Sequence, residues 1–183
     1  MPLKIQNVAD VFARLPKQRT ENLLPNIQAA KKQKVDAIIV LDDDPTGTQT
    51  VYDVPILTNW TSEIIQQEFQ KATPLFYILT NSRSLTAGDA ENLAIAIGQN
   101  IQRAAQKTDT SYWVISRSDS TLRGHYPCEV MALEKGLGGQ KKVHFIIPAF
   151  FEGGRYTIDN VHYVHKGKEL IPAAQTPYAK DKV

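Results

Sequence analysis

The feature that most constrains the fold is a short apolar run that ends in three consecutive carboxylates. Residues 38–41 read Ile-Ile-Val-Leu, and aspartates follow at positions 42–44, before a Pro-Thr-Gly turn. An apolar run bounded by a turn is typical of a buried strand in a parallel sheet. Three neighbouring carboxylates repel one another at a cost that grows where water is excluded, so a purely structural role does not require them. The alternative is a capped turn, in which Asp44 or Thr46 serves a following helix.

Strand-like and helix-like segments alternate along the chain after this run. We predict further strands at about 54–58, 75–79, 112–115 and 143–147, and amphipathic helices at about 61–71, 86–106 and 127–136. Such alternation predicts an α/β fold with a doubly wound, mostly parallel sheet, Rossmann-like and in three layers. Residues 156–170 instead alternate around Asp159-Asn160, which predicts a β-hairpin near the C-terminus.

The N-terminal part of the chain differs in pattern from the α/β part. Apolar residues recur there at helical spacing within a polar background, which predicts helices at about 8–15 and 21–32. We therefore expect an N-terminal helical extension over residues 1–35 and one α/β domain over residues 36–183.

Composition excludes several classes of protein. The chain of 183 residues is 42% hydrophobic and 22% charged, which is typical of an ordinary globular domain. A net charge of +2 is too small to indicate nucleic-acid binding, and no apolar run is long enough to span a membrane. The single cysteine, Cys128, excludes an intrachain disulfide and suits a reducing compartment. We expect a cytoplasmic protein without a nucleic-acid or membrane partner; an oligomer is compatible with the sequence.

The arginines are distributed unlike the lysines. Of seven arginines, four come just after predicted strands: Arg83, Arg117, Arg123 and Arg155. The lysines lie mainly on helices, loops and the tail. Parallel strands bring their carboxyl ends to one edge, so we expect these four arginines to converge with the three aspartates. The guanidinium fork binds carboxylate or phosphate in a bidentate manner.

Acids beside arginines at one edge suit a small anionic molecule that carries hydroxyl groups. In this hypothesis the arginines bind its acid group and the carboxylates bind its hydroxyls. The alternative is that the arginines only neutralise the aspartates in a structural network.

Other familiar site patterns are absent from the sequence. No GxxxxGK[ST] loop occurs and no GxGxxG follows a predicted strand, so we expect no nucleotide site in these residues. Ser118-Asp119-Ser120 lacks a nearby base for a catalytic triad. The four histidines have no metal-ligand spacing, and we predict no metal site; they are His125, His144, His162 and His165.

One partial resemblance favours a phosphatase. Asp42-x-Asp44-x-Thr46 resembles the first motif of the haloacid dehalogenase phosphatases, and Leu79-Thr80-Asn81 resembles their second. That resemblance implies Asp42 as nucleophile and Asp44 as general acid/base, with Mg²⁺ between them. The lysine and the paired acidic motif of that family have no counterpart in the loops at 117–120 and 148–152. A Mg²⁺-dependent phosphatase is therefore the alternative function.

A fuller resemblance rests on four motifs in order. They are Asp43-Asp44-Pro45-Thr46-Gly47, Thr80-Asn81-Ser82-Arg83, Arg117-Ser118-Asp119-Ser120-Thr121-Leu122-Arg123-Gly124, and Pro148-Ala149-Phe150 through Gly154-Arg155. Together they resemble the four-carbon acid sugar kinase family, formerly a domain of unknown function, over about residues 36–181. The resemblance implies an N-terminal domain that binds a threonate- or erythronate-type acid, followed by a C-terminal domain that binds ATP.

The resemblance also implies which residues bind substrate. It assigns substrate contacts to Asp43, Arg83 and the run Arg117-Ser118-Asp119-Ser120, to which the arginine pattern adds Arg123 and Arg155. Asp43 or Asp44 is the candidate catalytic residue, accepting the proton of the substrate hydroxyl.

The resemblance concerns only part of a kinase. ATP and Mg²⁺ are implied for the whole enzyme, with none bound by this part of it. Because members of the family are much longer than 183 residues, we expect the ATP-binding domain to be missing here and this part to be inactive alone. A non-catalytic module that binds a small anion is a further alternative.

Overall fold

A computed structural model describes residues 3–118, 123–139 and 143–180, the side chains at 31–34, 50 and 180 excepted. The described residues divide into two compact units. The parallel-sheet unit contains residues 22–118 and 125–139, and the antiparallel-sheet unit contains residues 3–21, 123–124 and 143–180.

The described residues form eight strands and five α-helices. The strands are β1 (Gln6–Asn7), β2 (Ala37–Asp42), β3 (Ile56–Leu57), β4 (Leu75–Leu79), β5 (Tyr112–Arg117), β6 (Arg155–Ile158), β7 (Val161–Lys166) and β8 (Glu169–Pro172). The helices are α1 (Val8–Phe12), α2 (Leu24–Lys34), α3 (Ser62–Gln70), α4 (Ala87–Thr108) and α5 (Cys128–Gly136). None of the helices in this part of the chain has the length and apolarity needed to cross a membrane.

The parallel-sheet unit is built on the strand predicted from the opening motif. Its sheet has the order β3-β4-β2-β5, and every neighbouring pair is parallel. The register aligns Asp42 with Leu79 on one side and with Arg117 on the other. Three strands therefore end level with one another, and the loops that follow them begin at the same edge of the sheet.

Helices cover this sheet because their apolar stripes match its buried face. The core combines side chains of β2, β4, α3, α4 and α5, including Ile39, Ile65, Phe76, Ile97 and Leu133. Burying each such side chain contributes about 1.5–3 kcal/mol. A Cβ at Gly98 would lie 2.8 Å from the Leu133 carbonyl oxygen, and a Cβ at Gly136 would lie 2.4 Å from that of Ile95, so both glycines permit close α4–α5 packing.

The antiparallel-sheet unit contains the predicted hairpin. Strands β6 and β7 pair directly across Asp159-Asn160, and both turn residues have positive φ, at 51° and 63°. A two-residue turn with two positive φ values matches the right-handed twist of the strands. Strands β8 and β1 extend the hairpin into a sheet of order β1-β8-β7-β6, and Val11, Tyr163 and Leu170 form its core. The predicted fold class is confirmed: a parallel sheet flanked by helices, with antiparallel strands near the C-terminus.

The prediction of a strand at 143–147 is wrong. These residues have no regular secondary structure, and Val143, Phe145 and Ile147 are 81%, 83% and 80% exposed. An apolar run rich in β-branched residues has strand propensity. A strand must also pair with the edge of a neighbouring strand, and local propensity does not indicate whether such an edge is present. The two N-terminal helices also differ from their predicted bounds: α1 is shorter and ends at Phe12, whereas α2 lies later in the chain, at Leu24–Lys34.

Candidate functional site

The acidic turn occupies the carboxyl edge of the parallel sheet. Asp42 is the last residue of β2 and its side chain is completely buried. The carboxylate of Asp43 is 3% exposed and that of Asp44 is 21% exposed. Asp44 Oδ1 accepts hydrogen bonds from the backbone N–H of Thr46, at 2.6 Å, and from its hydroxyl. Asp44 thus closes an Asx turn just before a 3₁₀ helix at Gly47–Thr50, whose N-cap residue Thr46 makes no side-chain capping bond to the helix.

Arg83 binds two of the three aspartates. It lies in a 3₁₀ turn at Ser82–Ser84, just after β4, and its backbone N–H donates to the Asp43 carbonyl oxygen at 3.3 Å. Its Nε and Nη2 donate to the two oxygens of Asp43 at 3.2 and 2.8 Å, while Nη1 donates to Asp44 Oδ2 at 2.7 Å. This is a bidentate fork with a third bond, so Arg83 offsets the charge of both carboxylates.

Arg117 binds the remaining aspartate, but with one N–H group. It ends β5 opposite Asp42, and its Nη1 donates to Asp42 Oδ1 at 3.2 Å. Burial raises the pKa of Asp42, and the positive charge of Arg117 opposes that rise. Arg117 is 41% exposed, and among the described residues its Nε and Nη2 have no hydrogen-bond partner.

Gly47 provides the room for this ion pair. A Cβ at position 47 would lie 2.1 Å from Arg117 Nη1 and 2.2 Å from Asp42 Oδ2, closer than any side chain tolerates. The glycine of the Pro-Thr-Gly turn is therefore needed for space, and it lets the backbone approach the ion pair closely. Ser118, the next predicted site residue, has its hydroxyl 3.2 Å from that of Ser116.

A buried polar network lies behind the arginine fork, and the sequence analysis missed it. Ser82 Oγ donates to Glu129 Oε1 at 2.6 Å, and Thr80 Oγ1 lies 3.1 Å from Ser82 Oγ and 3.0 Å from the Asp42 carbonyl oxygen. His125 Nε2 lies 3.1 Å from the Ser82 carbonyl oxygen. Glu129 is 5% exposed; burial raises its pKa, and the negative charge of Asp43 adds to the rise, although the Ser82 hydrogen bond opposes it.

One signal in the sequence could have revealed Glu129. Positions 129, 132, 133 and 136 share one face of α5, and all four are buried. The other three are Ala132, Leu133 and Gly136, so Glu129 is a carboxyl on an otherwise apolar face. The prediction of α5 considered only the apolar residues of that face.

Four predicted site residues remain, and two of them lie in the antiparallel-sheet unit. Arg123 and Arg155 belong to the antiparallel-sheet unit, where the guanidinium carbon of each lies 5.5 Å from the centroid of the Tyr178 ring. The premise for Arg155 was wrong, since it does not follow a strand at 143–147 but begins β6. Asp119 and Ser120 lie outside the described residues. Convergence of all four arginines stays a prediction, while Arg83 and Arg117 do contact the aspartates.

The carboxylates of the turn do not fit a resident metal ion. Within the described ranges no group of three histidine, cysteine, aspartate or glutamate residues could hold one. Arginines take the positions beside Asp42, Asp43 and Asp44 that a divalent cation would need. The dehalogenase-type interpretation also requires Asp42 as an accessible nucleophile, whereas its side chain is completely buried.

Comparison with known proteins is consistent with this geometry. A family model described as the sugar-binding N-terminal domain matches residues 38–183, which include the acidic turn, both arginines that contact it, and Glu129. The comparison with curated proteins found no match. The matched segment begins inside β2 and covers most of the chain. The chain therefore belongs to the sugar-binding N-terminal domain family, which confirms the family predicted from its four motifs.

Proposed function

We propose that this chain binds a four-carbon sugar acid of the threonate or erythronate type, as the substrate-binding part of an ATP-dependent sugar-acid kinase. A sugar-binding role follows from the family. The acid group and the kinase reaction are the further steps of the proposal, and they are supported by the charges at the sheet edge.

The proposal rests on one difference between Arg83 and Arg117, the number of hydrogen bonds that each donates to the aspartates. Arg83 already donates three hydrogen bonds to Asp43 and Asp44. Arg117 donates one, to a fully buried carboxylate, and exposes the rest of its guanidinium at the edge where ligands of parallel sheets bind. A guanidinium with N–H groups to spare is suited to a carboxylate. We therefore assign the acid group of the sugar to Arg117, and we assign to Arg83 the ordering of the aspartates.

The difference in exposure between Asp43 and Asp44 separates their roles. Both oxygens of each carboxylate accept hydrogen bonds, but the Asp43 carboxylate is almost fully buried, whereas that of Asp44 is the more open of the two. Asp44 is accordingly our candidate for binding a sugar hydroxyl and accepting its proton, with Asp43 in an orienting role. Ser118 adjoins Arg117 and is a candidate for a further hydroxyl contact.

The cofactors of the proposed kinase belong to its other domain. In a complete enzyme ATP supplies the phosphoryl group and Mg²⁺ offsets its charge. The contribution of this chain is to bind and orient the sugar acid and to hold the carboxylate that receives the hydroxyl proton.

The proposal is tested by calorimetry with matched ligands. Threonate and erythronate are compared with threitol and erythritol, which keep the hydroxyls and lack the carboxylate. We expect the acids to bind at least about tenfold more tightly, since a charged hydrogen bond contributes about 1.5–3 kcal/mol. Arg117→Gln should remove that preference, whereas Arg103→Gln, at an exposed position on α4, should keep it. Equal affinity for acid and tetritol would contradict the assignment of Arg117, and absence of all binding would contradict the sugar site itself.

The kinase half of the proposal has a separate test. Reading the coding sequence beyond codon 183 should reveal an ATP-binding domain in the same frame. The protein with that domain should release ADP only when sugar acid is present. Binding of sugar acid with no such domain in the gene would instead favour the non-catalytic binding module.

A further inference from the structure

We propose that Glu129 is a positioning residue: through Ser82 it fixes the turn that carries Arg83. The proposal deepens the proposed function, because Arg83 orders the aspartates of the sugar site. It assigns a role to a buried acid that contacts neither the acidic turn nor the exposed edge through a hydrogen bond of its own.

Ser82 is the link between the two residues. It directly precedes Arg83 in the same 3₁₀ turn and is 1% exposed. Its hydroxyl donates to Glu129 at 2.6 Å, its backbone N–H donates to Thr80 Oγ1 at 3.3 Å, and its carbonyl oxygen lies 3.1 Å from His125 Nε2. With hydroxyl, amide and carbonyl all bound, Ser82 has little freedom, so Arg83 leaves the turn in a fixed direction.

The hydrogen bonds of the Arg83 guanidinium require that its side chain leave the turn in one direction. Three N–H groups of Arg83 meet two carboxylates at 2.7–3.2 Å, and its backbone N–H meets the Asp43 carbonyl oxygen. Such a set of bonds tolerates little displacement of the turn. The residue before Ser82 strengthens the constraint, since Asn81 holds a left-handed conformation with φ of 52°.

Glu129 is costly at this position, which argues for a role in the site rather than in packing. Burial of a carboxyl is unfavourable, and no described residue forms a salt bridge with Glu129, although the charge of His125 partly opposes the rise in its pKa. Its Oε2 accepts no hydrogen bond from the described part of the chain. The neighbouring positions on the same face are Ala132 and Leu133, so an apolar side chain would suit packing alone. The negative charge of Asp43 adds to the cost.

Glu68 on α3 shows what a purely structural buried carboxylate looks like in this chain. It is 7% exposed, and its oxygens accept from Lys71 Nζ at 2.7 Å and Thr73 Oγ1 at 2.8 Å. Both partners lie within five residues of it, so its bonds tie the end of α3 to the following loop. Glu68→Gln is therefore the matched control for Glu129→Gln.

The first test needs no ligand. In ¹⁵N NMR spectra, the Arg83 Nε–H is identified as the signal that Arg83→Lys removes, and its exchange with water is measured. Glu129→Ala and Ser82→Ala should each speed this exchange about tenfold or more, since a lost buried hydrogen bond costs about 1–3 kcal/mol. Glu129→Gln, which still accepts from Ser82, should keep most of the protection, and Glu68→Gln should leave it unchanged.

The second test uses the sugar acid and separates this proposal from the proposed function. Glu129→Ala and Ser82→Ala should weaken binding about tenfold, with recovery in Glu129→Gln. If the wild-type protein binds no sugar acid, the proposed function is wrong, and the exchange measurement still decides the role of Glu129. Unchanged Arg83 exchange in Ser82→Ala would overturn the positioning role, as would unchanged Arg83 exchange in a folded Glu129→Ala variant. Ser82→Ala also decides the matter if Glu129→Ala does not fold.

Discussion

The guanidinium of Arg83 holds both carboxylate oxygens of Asp43, with Nε 3.2 Å from Oδ2 and Nη2 2.8 Å from Oδ1. Asp43 comes from the end of β2 and Arg83 from the turn after β4, so the pair joins two neighbouring strand ends. Since three aspartates stand in sequence here, this pair makes a buried cluster of like charges tolerable.

Removal of the guanidinium should therefore destabilise the fold. Arg83→Met leaves the buried Asp43 carboxylate without its cation, and breaking a buried pair costs about 3–5 kcal/mol. We expect the free energy of unfolding in urea to fall by about 3 kcal/mol. Adding Asp43→Asn to Arg83→Met should recover part of that loss, because the unpaired charge is then gone. Arg103→Met, at an exposed site, is the control, and an equal loss there would contradict the explanation.

Asp43 and Asp44 should differ in the effects of their substitution. Asp43→Asn affects a carboxylate that is 3% exposed and bound through both oxygens, so we expect a loss of about 2–3 kcal/mol in unfolding free energy. Asp44→Asn affects a more open carboxylate, and the amide oxygen can still accept from Thr46, so its cost should be smaller, about 1 kcal/mol. For sugar-acid affinity, measured by calorimetry, the order should be reversed: Asp44→Asn should weaken binding more than Asp43→Asn does, while the protein stays folded. Unaltered affinity in Asp44→Asn would exclude it as the hydroxyl-binding residue.

Gly47→Ala should impair the site more than the fold. The added Cβ would overlap the Asp42–Arg117 pair, and the flexible end of Arg117 is the group that can move. We expect sugar-acid affinity to fall about tenfold, equivalent to ~1.4 kcal/mol, with a smaller change in the urea midpoint. Gly88→Ala is the matched control, because a Cβ there meets nothing within 4 Å and alanine favours the helix. Equal affinity in the two variants would show that the ion pair does not bind the ligand.

The part of the site that the sequence predicted is the part set by strand ends. The run 38–41 reads as a buried strand, and parallel pairing then brings the residues after 42, 79 and 117 to one edge. That geometry requires only strand identity and direction, which the apolar pattern reports. Arg83 and Arg117 were found in this way.

The rest depended on tertiary contacts that local pattern does not contain. Residues 143–147 have the composition of a strand and no paired edge, so the premise from which the position of Arg155 was predicted is wrong as well. Glu129 contacts Ser82 across 47 positions of sequence, and no spacing rule links a helix start to a turn that far away. The local sequence signal for Glu129 is a single acid on an otherwise apolar helix face.

The two buried glutamates should give opposite pH dependences. Burial raises the pKa of Glu129, so the native protein binds more protons at this residue than the unfolded chain does. Its stabilising contribution is then full below the unfolded pKa, about 4.3, and is lost as pH rises through the raised native pKa. For Glu68 burial acts in the same direction, but bonds from Lys71 and Thr73 prevail and lower the pKa, so stability is lost as pH falls.

Urea unfolding of wild-type protein and both glutamine variants between pH 3.5 and 8 tests this. Relative to Glu129→Gln, the wild type should lose stability as pH rises above about 4.3, because only the wild type must ionise a buried carboxyl. Relative to Glu68→Gln, the wild type should gain stability as pH rises through the low end of that range. The titration of Asp42, whose pKa is also raised by burial, is common to all three proteins and cancels in the differences. Differences of the same sign for both glutamates would mean that Glu129 is ionised in the native protein, and that an anion, not a protonated carboxyl, accepts the Ser82 hydrogen bond.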